Sequence, residues 1–236
     1  IGLATVQVFL QNGARVALFG SRQETVEKAL AALKAENDQW QVMGLWPDLT
    51  DFAAVQDAVK QVAVTFGGPD ILVNNAGIQR RHPFTEFPEQ EWNDVIAVNQ
   101  TAVFLVSQVV TRHMVERKAG KVINICSMQS ELGRDTITPY AASKGAVKML
   151  TRGMCVELAR HNIQVNGIAP GYFKTEMTKA LVEDEAFTAW LCKRTPAARW
   201  GDPQELIGAA VFLSSKASDF VNGHLLFVDG GMLVAV

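Results

Sequence analysis

The chain has 236 residues, of which 48% are hydrophobic and 19% are charged, and its formal net charge is −2 at pH 7. This composition suits one globular domain, and the lack of a long basic run argues against nucleic acid as a main partner. Charged residues interrupt every apolar run, so no membrane-spanning segment is expected. The three cysteines are widely spaced and the four histidines are scattered, which predicts reduced thiols, a cytoplasmic protein and no metal site.

Apolar runs typical of buried strands alternate along the chain with amphipathic helical patterns. The predicted strands are residues 16–19, 42–45, 71–73, 122–126, 163–168 and 225–228. The predicted helices include residues 4–11, 23–36, 51–66, 89–118, 140–161 and 203–214. This alternation predicts a Rossmann-type, doubly wound parallel sheet in a three-layer α/β/α single domain. Residues 175–199 are predicted to form one or two helices. These helices would either cover the site as a lid or pack against the domain in the ordinary way.

The first residues have the composition of a glycine-rich turn that leads into a helix. In a dinucleotide-binding fold a strand and the rest of the turn precede that helix. Gly2 is therefore a predicted cofactor-binding residue. The expectation is that the given sequence omits the central first strand and part of the turn, on the order of 15–25 residues.

The strand at residues 16–19 is followed by Gly20-Ser21-Arg22. Enzymes that choose NAD usually place a carboxylate here to bind the ribose 2′-hydroxyl. Because no carboxylate is present, Arg22 could pair with a 2′-phosphate, and Ser21 could donate a further hydrogen bond. The sequence therefore favours NADP(H) over NAD(H). The alternative is that Arg22 is only a solvated residue at a helix start.

Tyr140 and Lys144 lie four residues apart in a predicted helix, so their side chains share one face. A nearby ammonium favours phenolate over phenol, which predicts a lowered pKa for Tyr140. Ser127 follows a predicted strand and should face the crevice at the carboxyl ends of the strands. These groups predict proton exchange with a carbonyl or alcohol oxygen. The alternative, for the tyrosine and lysine alone, is a solvated surface pair.

Motifs along nearly the whole chain resemble those of the short-chain dehydrogenase/reductase family. They are Asn74-Asn75-Ala76-Gly77, Val98-Asn99, Ser127, Tyr140 with Lys144, Pro170-Gly171 with Thr175, and Val228-Asp229-Gly230-Gly231. The resemblance implies a nicotinamide-dependent oxidoreductase that forms a homotetramer. It also implies that Tyr140 is the acid/base and that Ser127 binds the substrate oxygen. Asn99 would hold a water linked to Lys144, or, alternatively, would only bond to backbone within a helix.

The same resemblance implies a set of cofactor contacts. They are Asp48-Leu49 with adenine, Asn75-Ala76-Gly77 with the adenine ribose, Tyr140 and Lys144 with the nicotinamide ribose, Thr175 with the carboxamide, and Pro170-Gly171 with the nicotinamide ring. The alternative for Asp48 is a helix cap, which would be compatible with the adenine contact.

Polar loops beside the catalytic residues suggest the substrate. Arg80 and Arg81 follow the Asn-Asn-Ala-Gly motif, and Arg134 follows the polar run after Ser127; arginines can bind a carboxylate bidentately. The predicted substrate-binding residues are Arg80, Arg81, Ser127, Gln129 and Tyr172. A polyhydroxylated keto acid fits them better than a fatty or steroid substrate. The alternative is a solvated basic turn or a subunit contact.

Residues 71–236 resemble one subfamily especially, the bacterial gluconate 5-dehydrogenases. That resemblance implies the reversible reduction of 5-keto-D-gluconate to D-gluconate by hydride transfer. The alternatives are the same chemistry on another keto-sugar acid, a sugar alcohol or a hydroxysteroid, a non-catalytic dinucleotide-binding sensor, or a structural protein. Intact Ser127, Tyr140 and Lys144 argue against the sensor, which has no need of a proton relay.

Overall fold

A computed structural model describes residues 1–235, in which helices alternate with short parallel strands. The strands are β1 (Val16–Phe19), β2 (Val42–Leu45), β3 (Ile71–Asn74), β4 (Gly120–Ile125), β5 (Ile163–Pro170) and β6 (Leu225–Val228). The helices are α1 (Gly2–Gln11), α2 (Gln23–Glu36), α3 (Phe52–Phe66), α4 (Glu89–Ile96), α5 (Ala102–Arg117), α6 (Thr138–Leu158), α7 (Lys179–Val182), α8 (Glu185–Arg194) and α9 (Ile207–Ser214).

The strands form two parallel sheets. β1 pairs with β2, and the second sheet has the order β3-β4-β5-β6. Helices connect successive strands, as parallel pairing requires. β1 and β3 lie on opposite sides of a cavity of about 760 Å³ that both strands line. The predicted parallel α/β architecture is confirmed, and the described strands are divided between two sheets.

Helices cover both faces of the four-stranded sheet because successive strand residues point to opposite sides. On one face, Val122 and Val165 pack with the apolar side of α3 and α5. On the other face, Ile123 and Ile168 pack with Leu213 of α9. All eight residues of β5 are buried, which is typical of a central parallel strand. The two layers hold the carboxyl ends of β3, β4 and β5 together at one edge.

Local signals set the ends of the helices. Asp51 caps α3 by accepting hydrogen bonds from two backbone N–H groups of the first turn. The capping alternative proposed for Asp48 is therefore wrong, because Asp51 occupies that position. Pro139 lies in the first turn of α6, where its missing N–H costs little. The helix starts at Thr138 and so places Tyr140 within its first turn.

One helical run differs from the sequence expectation. A π-helical turn at Ala97–Thr101 joins α4 to α5, so that Glu89–Arg117 forms a run of 29 residues. By length and composition alone this run could cross a membrane, although the sequence predicts no such segment. Half of its apolar window is buried inside the fold, and α5 packs against β3 and β4. The run therefore has the position of a core helix.

Buried polar side chains connect the central strands to the helices. Asn124 of β4 is fully buried; its Oδ1 accepts from Asn74 Nδ2 at 2.8 Å, and its Nδ2 donates to Thr151 Oγ1 at 2.8 Å. Asn74 Nδ2 also donates to Ser107 Oγ at 2.9 Å. Because unpaired buried polar groups are costly, this network favours one arrangement of β3, β4, α5 and α6.

We expect Asn124→Ala to lower the free energy of unfolding by about 2–3 kcal/mol, because Asn74 and Thr151 each lose a buried partner. Urea denaturation would measure the change. Asn37→Ala is the control, since Asn37 is exposed, and its effect should stay within about 0.5 kcal/mol. Equal effects of the two substitutions would show that the network adds nothing to stability.

Candidate active site

The predicted catalytic residues meet at the edge formed by the carboxyl ends of the strands. Ser127 lies two residues beyond β4, and Tyr172 lies two residues beyond β5. Tyr140 and Lys144 lie in the first two turns of α6, which begins beside the same edge. Open α/β sheets bind their ligands at this edge. The fold therefore brings Ser127, Tyr140 and Lys144 together as the sequence predicts.

Lys144 is buried, with 4% of its surface exposed. Its Nζ donates to the carbonyl oxygen of Ile125 at 2.6 Å and lies 5.7 Å from the centre of the Tyr140 ring. Burial lowers the pKa of Lys144 to about 8. The amine therefore changes its charge close to neutral pH instead of remaining an ammonium over the whole working range.

The pKa of Tyr140 is raised, so the sequence prediction of a lowered value is wrong. Burial of the phenol is the largest cause, the Ser127 hydroxyl acts in the opposite direction, and Cys126 and Tyr172 add to the upward shift. Burial dominates, and the Lys144 amine is directed to a backbone carbonyl. Tyr140 therefore holds its proton at neutral pH, which is the form that can donate to a carbonyl oxygen.

Asn99 is fully buried in the π-helical turn, where its side chain binds protein groups. Oδ1 accepts from the backbone N–H of Ile78 at 2.8 Å, and Nδ2 donates to the Ile78 carbonyl at 2.9 Å and to Ser143 Oγ at 3.1 Å. Ser143 Oγ donates to the Tyr140 carbonyl at 2.7 Å. Asn99 thus joins the loop after β3 to α6. Its bonds to the Ile78 backbone agree with the alternative role stated above, in which Asn99 only bonds to backbone. That Asn99 also holds a water molecule linked to Lys144 stays a prediction.

Several predicted cofactor residues share one cavity. Gly2, Leu49, Asn75 and Ala76 all line the space of about 760 Å³ between the sheets. A Cβ at Gly2 would lie 2.7 Å from Asn75 Nδ2, so these residues touch only because Gly2 lacks a side chain. A Cβ at Gly77 would lie 3.7 Å from Lys144 Nζ. The segment 75–77 therefore leads from the cavity to the catalytic lysine.

Ser21 and Arg22 are exposed just beyond β1, at the start of α2. Across residues 1–235, no carboxylate lies within 4 Å of the Arg22 guanidinium. Arg22 is therefore available to bind an anion.

Asp48 has partners within its own turn. The Asp48 carboxylate accepts from the backbone N–H and hydroxyl of Thr50 at 2.8 and 2.7 Å, and these bonds lower the pKa of Asp48.

Two predicted nicotinamide contacts have partners within the protein. A Cβ at Gly171 would lie 2.7 Å from the Cα of Asp229, so the close approach that demands glycine here is to the Asp229 backbone. Pro170 is the last residue of β5. The Thr175 hydroxyl lies 3.0 Å from that of Thr178, within the 3₁₀ turn that Thr175 begins. Roles toward a cofactor stay predictions for these residues.

Gln129 and Tyr172 lie beside the catalytic serine and tyrosine. Gln129 is buried, and its Oε1 has no hydrogen-bond partner in the part of the chain that the structure describes. Buried polar atoms are normally paired, so an oxygen without a partner is unusual at this position. Tyr172 belongs to an aromatic cluster with Phe187, Trp190 and Trp200, whose ring centres lie 5.5, 6.4 and 5.8 Å from its own. The predicted helices of residues 175–199 thus pack beside the site through α8.

The two loop arginines face different neighbours. Arg80 Nε lies 3.6 Å from the Glu91 carboxylate. Arg81 donates to Gln79 Oε1 at 2.8 Å, and burial and the nearby charge of Arg134 lower the pKa of Arg81. Arg134 belongs to the segment between Ser127 and Tyr140. Sequence reasoning could place these arginines in polar loops but could not tell which of them meet.

The remaining ionisable groups near the site are few. Burial raises the pKa of Cys126 to about 11, so this residue stays a neutral thiol. Within residues 1–235, no three His, Cys, Asp or Glu side chains are grouped so that they could hold a metal ion. Tyr140 and Lys144 are therefore the groups best placed to exchange a proton.

The chain is similar to known proteins over most of its length. A family model described as short chain dehydrogenase matches residues 1–186. The chain is 83% identical over 213 residues to the 5-keto-D-gluconate 5-reductase of Escherichia coli strain K12, which covers 90% of this chain and 84% of that protein. It is 52% identical over 236 residues to the gluconate 5-dehydrogenase of Gluconobacter oxydans strain 621H. That match covers 100% of this chain and 91% of the relative.

A solved structure agrees with these sequence matches. A gluconate 5-dehydrogenase from Burkholderia cenocepacia J2315, crystallised in complex with NADP and tartrate, superposes with a TM-score of 0.94. The two chains are 50% identical, and the match covers 99% of this chain and 91% of the other.

Proposed function

The chain belongs to the short-chain dehydrogenase family, and on that premise we propose that it reversibly reduces 5-keto-D-gluconate to D-gluconate. The 83% identity with the 5-keto-D-gluconate 5-reductase of Escherichia coli carries this proposal. The arrangement of Ser127, Tyr140 and Lys144 supports it, because these residues supply the proton transfer that a ketone reduction needs.

The residues of the chain have distinct parts in this reaction. Tyr140 donates its phenolic proton to the ketone oxygen during reduction and takes a proton from the alcohol during oxidation. Ser127 donates a hydrogen bond to the same oxygen, and the Lys144 ammonium stabilises the phenolate that remains. A bound nicotinamide supplies or accepts the hydride. Gln129, with its unpartnered oxygen, is suited to accept a hydrogen bond from a substrate hydroxyl.

The cofactor that we propose is NADP(H), in preference to NAD(H). Arg22 and Ser21 are exposed beyond β1, and Arg22 has no acidic partner among the described residues. A 2′-phosphate would supply that partner through a charge-assisted bond. The Burkholderia relative, crystallised with NADP, supports the same preference. Gly2, Leu49 and Asn75 are the residues that we propose to contact the adenosine half of the cofactor.

We expect Arg22→Ala to weaken NADPH binding by about 1.5–3 kcal/mol, the usual range for a hydrogen bond to a charged group. NADH binding should change little, because NADH lacks the 2′-phosphate. Isothermal titration with both cofactors measures this difference. Lys34→Ala is the control, since Lys34 is exposed in the last turn of α2, at the opposite end of that helix from Arg22. Equal weakening of both cofactors by Arg22→Ala would reject the phosphate contact.

A coupled assay tests the function itself. NADPH and NADH are each offered with 5-keto-D-gluconate, another keto-sugar acid and an uncharged ketose, and NADP⁺ and NAD⁺ with a sugar alcohol and a hydroxysteroid. We expect 5-keto-D-gluconate with NADPH to have the highest kcat/KM. Preference for the hydroxysteroid would reject the substrate but keep the reaction class. Tight NADPH binding without turnover of any substrate would favour the sensor.

We also propose that the protein is a homotetramer in the cytoplasm. The adjacent helices α5 and α6 expose apolar side chains at Phe104, Met149 and Val156, which are 46%, 57% and 76% accessible. Such an apolar surface is typical of a subunit contact. Cys126, Cys155 and Cys192 are unpaired thiols, which suits a reducing compartment. Light scattering on the purified protein tests the assembly, and a stable monomer would reject it.

A further inference from the structure

Two arginines, Arg81 and Arg134, lie on loops that contact each other beside the active site. The charges of both act on the Tyr172 hydroxyl and oppose the rise in its pKa that burial causes. No carboxylate of residues 1–235 lies within 4 Å of either arginine. Like charges in a partly buried position repel each other, and an anion between them would relieve that repulsion. We call Arg81 and Arg134 the arginine pair.

Arg134 is held in place by aromatic groups instead of by an acid. Its guanidinium carbon lies 4.7 Å from the centre of the Phe187 ring and 5.6 Å from that of Tyr172. Nη1 donates to the Tyr172 hydroxyl at 3.0 Å. Cation–π contacts of this kind orient an arginine without neutralising its charge. Phe187 lies in α8, so the aromatic cluster fixes the direction of Arg134.

The loop that carries Arg81 is joined to the segment that carries Arg134. The backbone N–H of His82 donates to the Thr136 carbonyl at 3.1 Å. This bond joins the two loops one residue beyond Arg81 and two residues beyond Arg134. The arginine pair is therefore a preformed feature of the fold, and less side-chain ordering is needed when a ligand binds.

Tyr172 is a shared neighbour of Arg134 and of the acid/base. Tyr172 is close enough to Tyr140 to contribute to the raised pKa of that phenol, and Arg134 bonds to the Tyr172 hydroxyl. In 5-keto-D-gluconate the carboxylate lies toward the opposite end of the carbon chain from the keto group. A substrate with its keto oxygen at Tyr140 could therefore direct its carboxylate toward the arginine pair.

We propose that Arg134 and Arg81 bind the substrate carboxylate and that Phe187 positions Arg134 for this contact. Planar guanidinium groups match a carboxylate bidentately. The assignment rests on the proposed function, and it replaces Arg80 as a carboxylate ligand, because Glu91 already neutralises Arg80. It makes the arginine pair the feature that selects sugar acids over uncharged sugars.

The test compares KM and kcat for 5-keto-D-gluconate and for the uncharged ketose in which a primary alcohol replaces the carboxylate. Arg134→Ala should raise KM for the acid by about 10- to 100-fold, the scale of a charge-assisted bond. Its kcat should change little, because a remote contact is shared by ground and transition states. KM for the ketose should stay within about threefold. Arg80→Ala should change either KM by less than about threefold, as for an exposed ion pair.

Two further variants separate binding from folding. Arg134→Lys keeps the charge but loses the planar fork, so its KM for the acid should lie between those of the wild type and Arg134→Ala. Phe187→Leu should raise KM for the acid more than for the ketose, because it removes the ring that orients Arg134. It also removes the contact of that ring with Tyr172. Thermal unfolding of each variant shows whether the fold is intact, and Arg134→Lys carries the test if Arg134→Ala does not fold.

The outcomes distinguish this inference from the proposed function. If the wild type prefers the acid and Arg134→Ala raises KM for acid and ketose equally, the function stands and the arginine pair does not select the carboxylate. If the wild type prefers the uncharged ketose or a hydroxysteroid, the proposed function fails first. If Arg80→Ala has the larger effect on the acid, Arg80 and not the arginine pair binds the carboxylate.

Discussion

Tyr140→Phe should lower kcat for the reduction of 5-keto-D-gluconate by about 100-fold or more, the usual scale on which general acid–base catalysis contributes. The substitution removes the transferable proton but keeps the ring that packs beside Lys144. NADPH binding should be largely retained, because the loss is confined to proton transfer. Steady-state kinetics and a separate cofactor titration measure the two effects. A variant that keeps most of its turnover would show that another group supplies the proton.

The chain offers a matched comparison, because Tyr140 and Tyr172 are its two tyrosines. Tyr172→Phe removes the hydroxyl that accepts from Arg134 but leaves the aromatic cluster in place. We therefore expect it to act mainly on KM for the acid, whereas Tyr140→Phe acts mainly on kcat. Large kcat losses in both variants would indicate that the two phenols share the proton.

Lys144→Met should also lower kcat, by about 100- to 1,000-fold, which is typical when one preorganised electrostatic group is removed from a site. Without the ammonium, the phenolate that Tyr140 leaves after donating its proton has no stabilising charge beside it. The methionine keeps much of the apolar stem that α6 buries. A kcat within tenfold of the wild type would show that the ammonium contributes little to the transition state.

Lys144 also predicts a pH dependence with a definite sign. Its pKa is lowered to about 8, so the ammonium is lost as the pH rises through that value, and kcat for the reduction should fall above it. An unfolded lysine has a pKa of about 10.4, so between about pH 8 and 10.4 the unfolded state binds more protons. The contribution of Lys144 to stability therefore rises with pH across this window. Lys144→Met should remove both dependences.

The central strands and the catalytic spacing were predictable because they depend on nearby residues. β5 carries the apolar residues Ile163, Val165 and Ile168 and is buried throughout, and Tyr140 and Lys144 share a helix face because they are four residues apart. The direction of the Tyr140 pKa was not predictable. It depends on the burial of the phenol and on Cys126 and Tyr172, which reach it only through the fold.

Neighbouring residues of the same type show the same limit of prediction from sequence. Arg80 and Arg81 are indistinguishable in sequence, but the structure pairs Arg80 with Glu91 and places Arg81 near Arg134. Gly171 was expected to contact the nicotinamide ring, and the structure shows that the backbone of Asp229 beyond β6 already requires a glycine there. A motif identifies the residue types that a site needs, and the long-range packing decides what each one contacts.

The aromatic cluster gives the protein an intrinsic optical reporter. Two of its five tryptophans, Trp190 and Trp200, lie within 6.4 and 5.8 Å of the Tyr172 ring by their centres. Indole emission is sensitive to nearby charge and transfers energy to a reduced nicotinamide. Occupation of the site by NADPH or by a sugar acid should therefore change the emission of these two indoles. Binding can then be followed at equilibrium, without label and without turnover, even in a variant whose chemistry has been abolished.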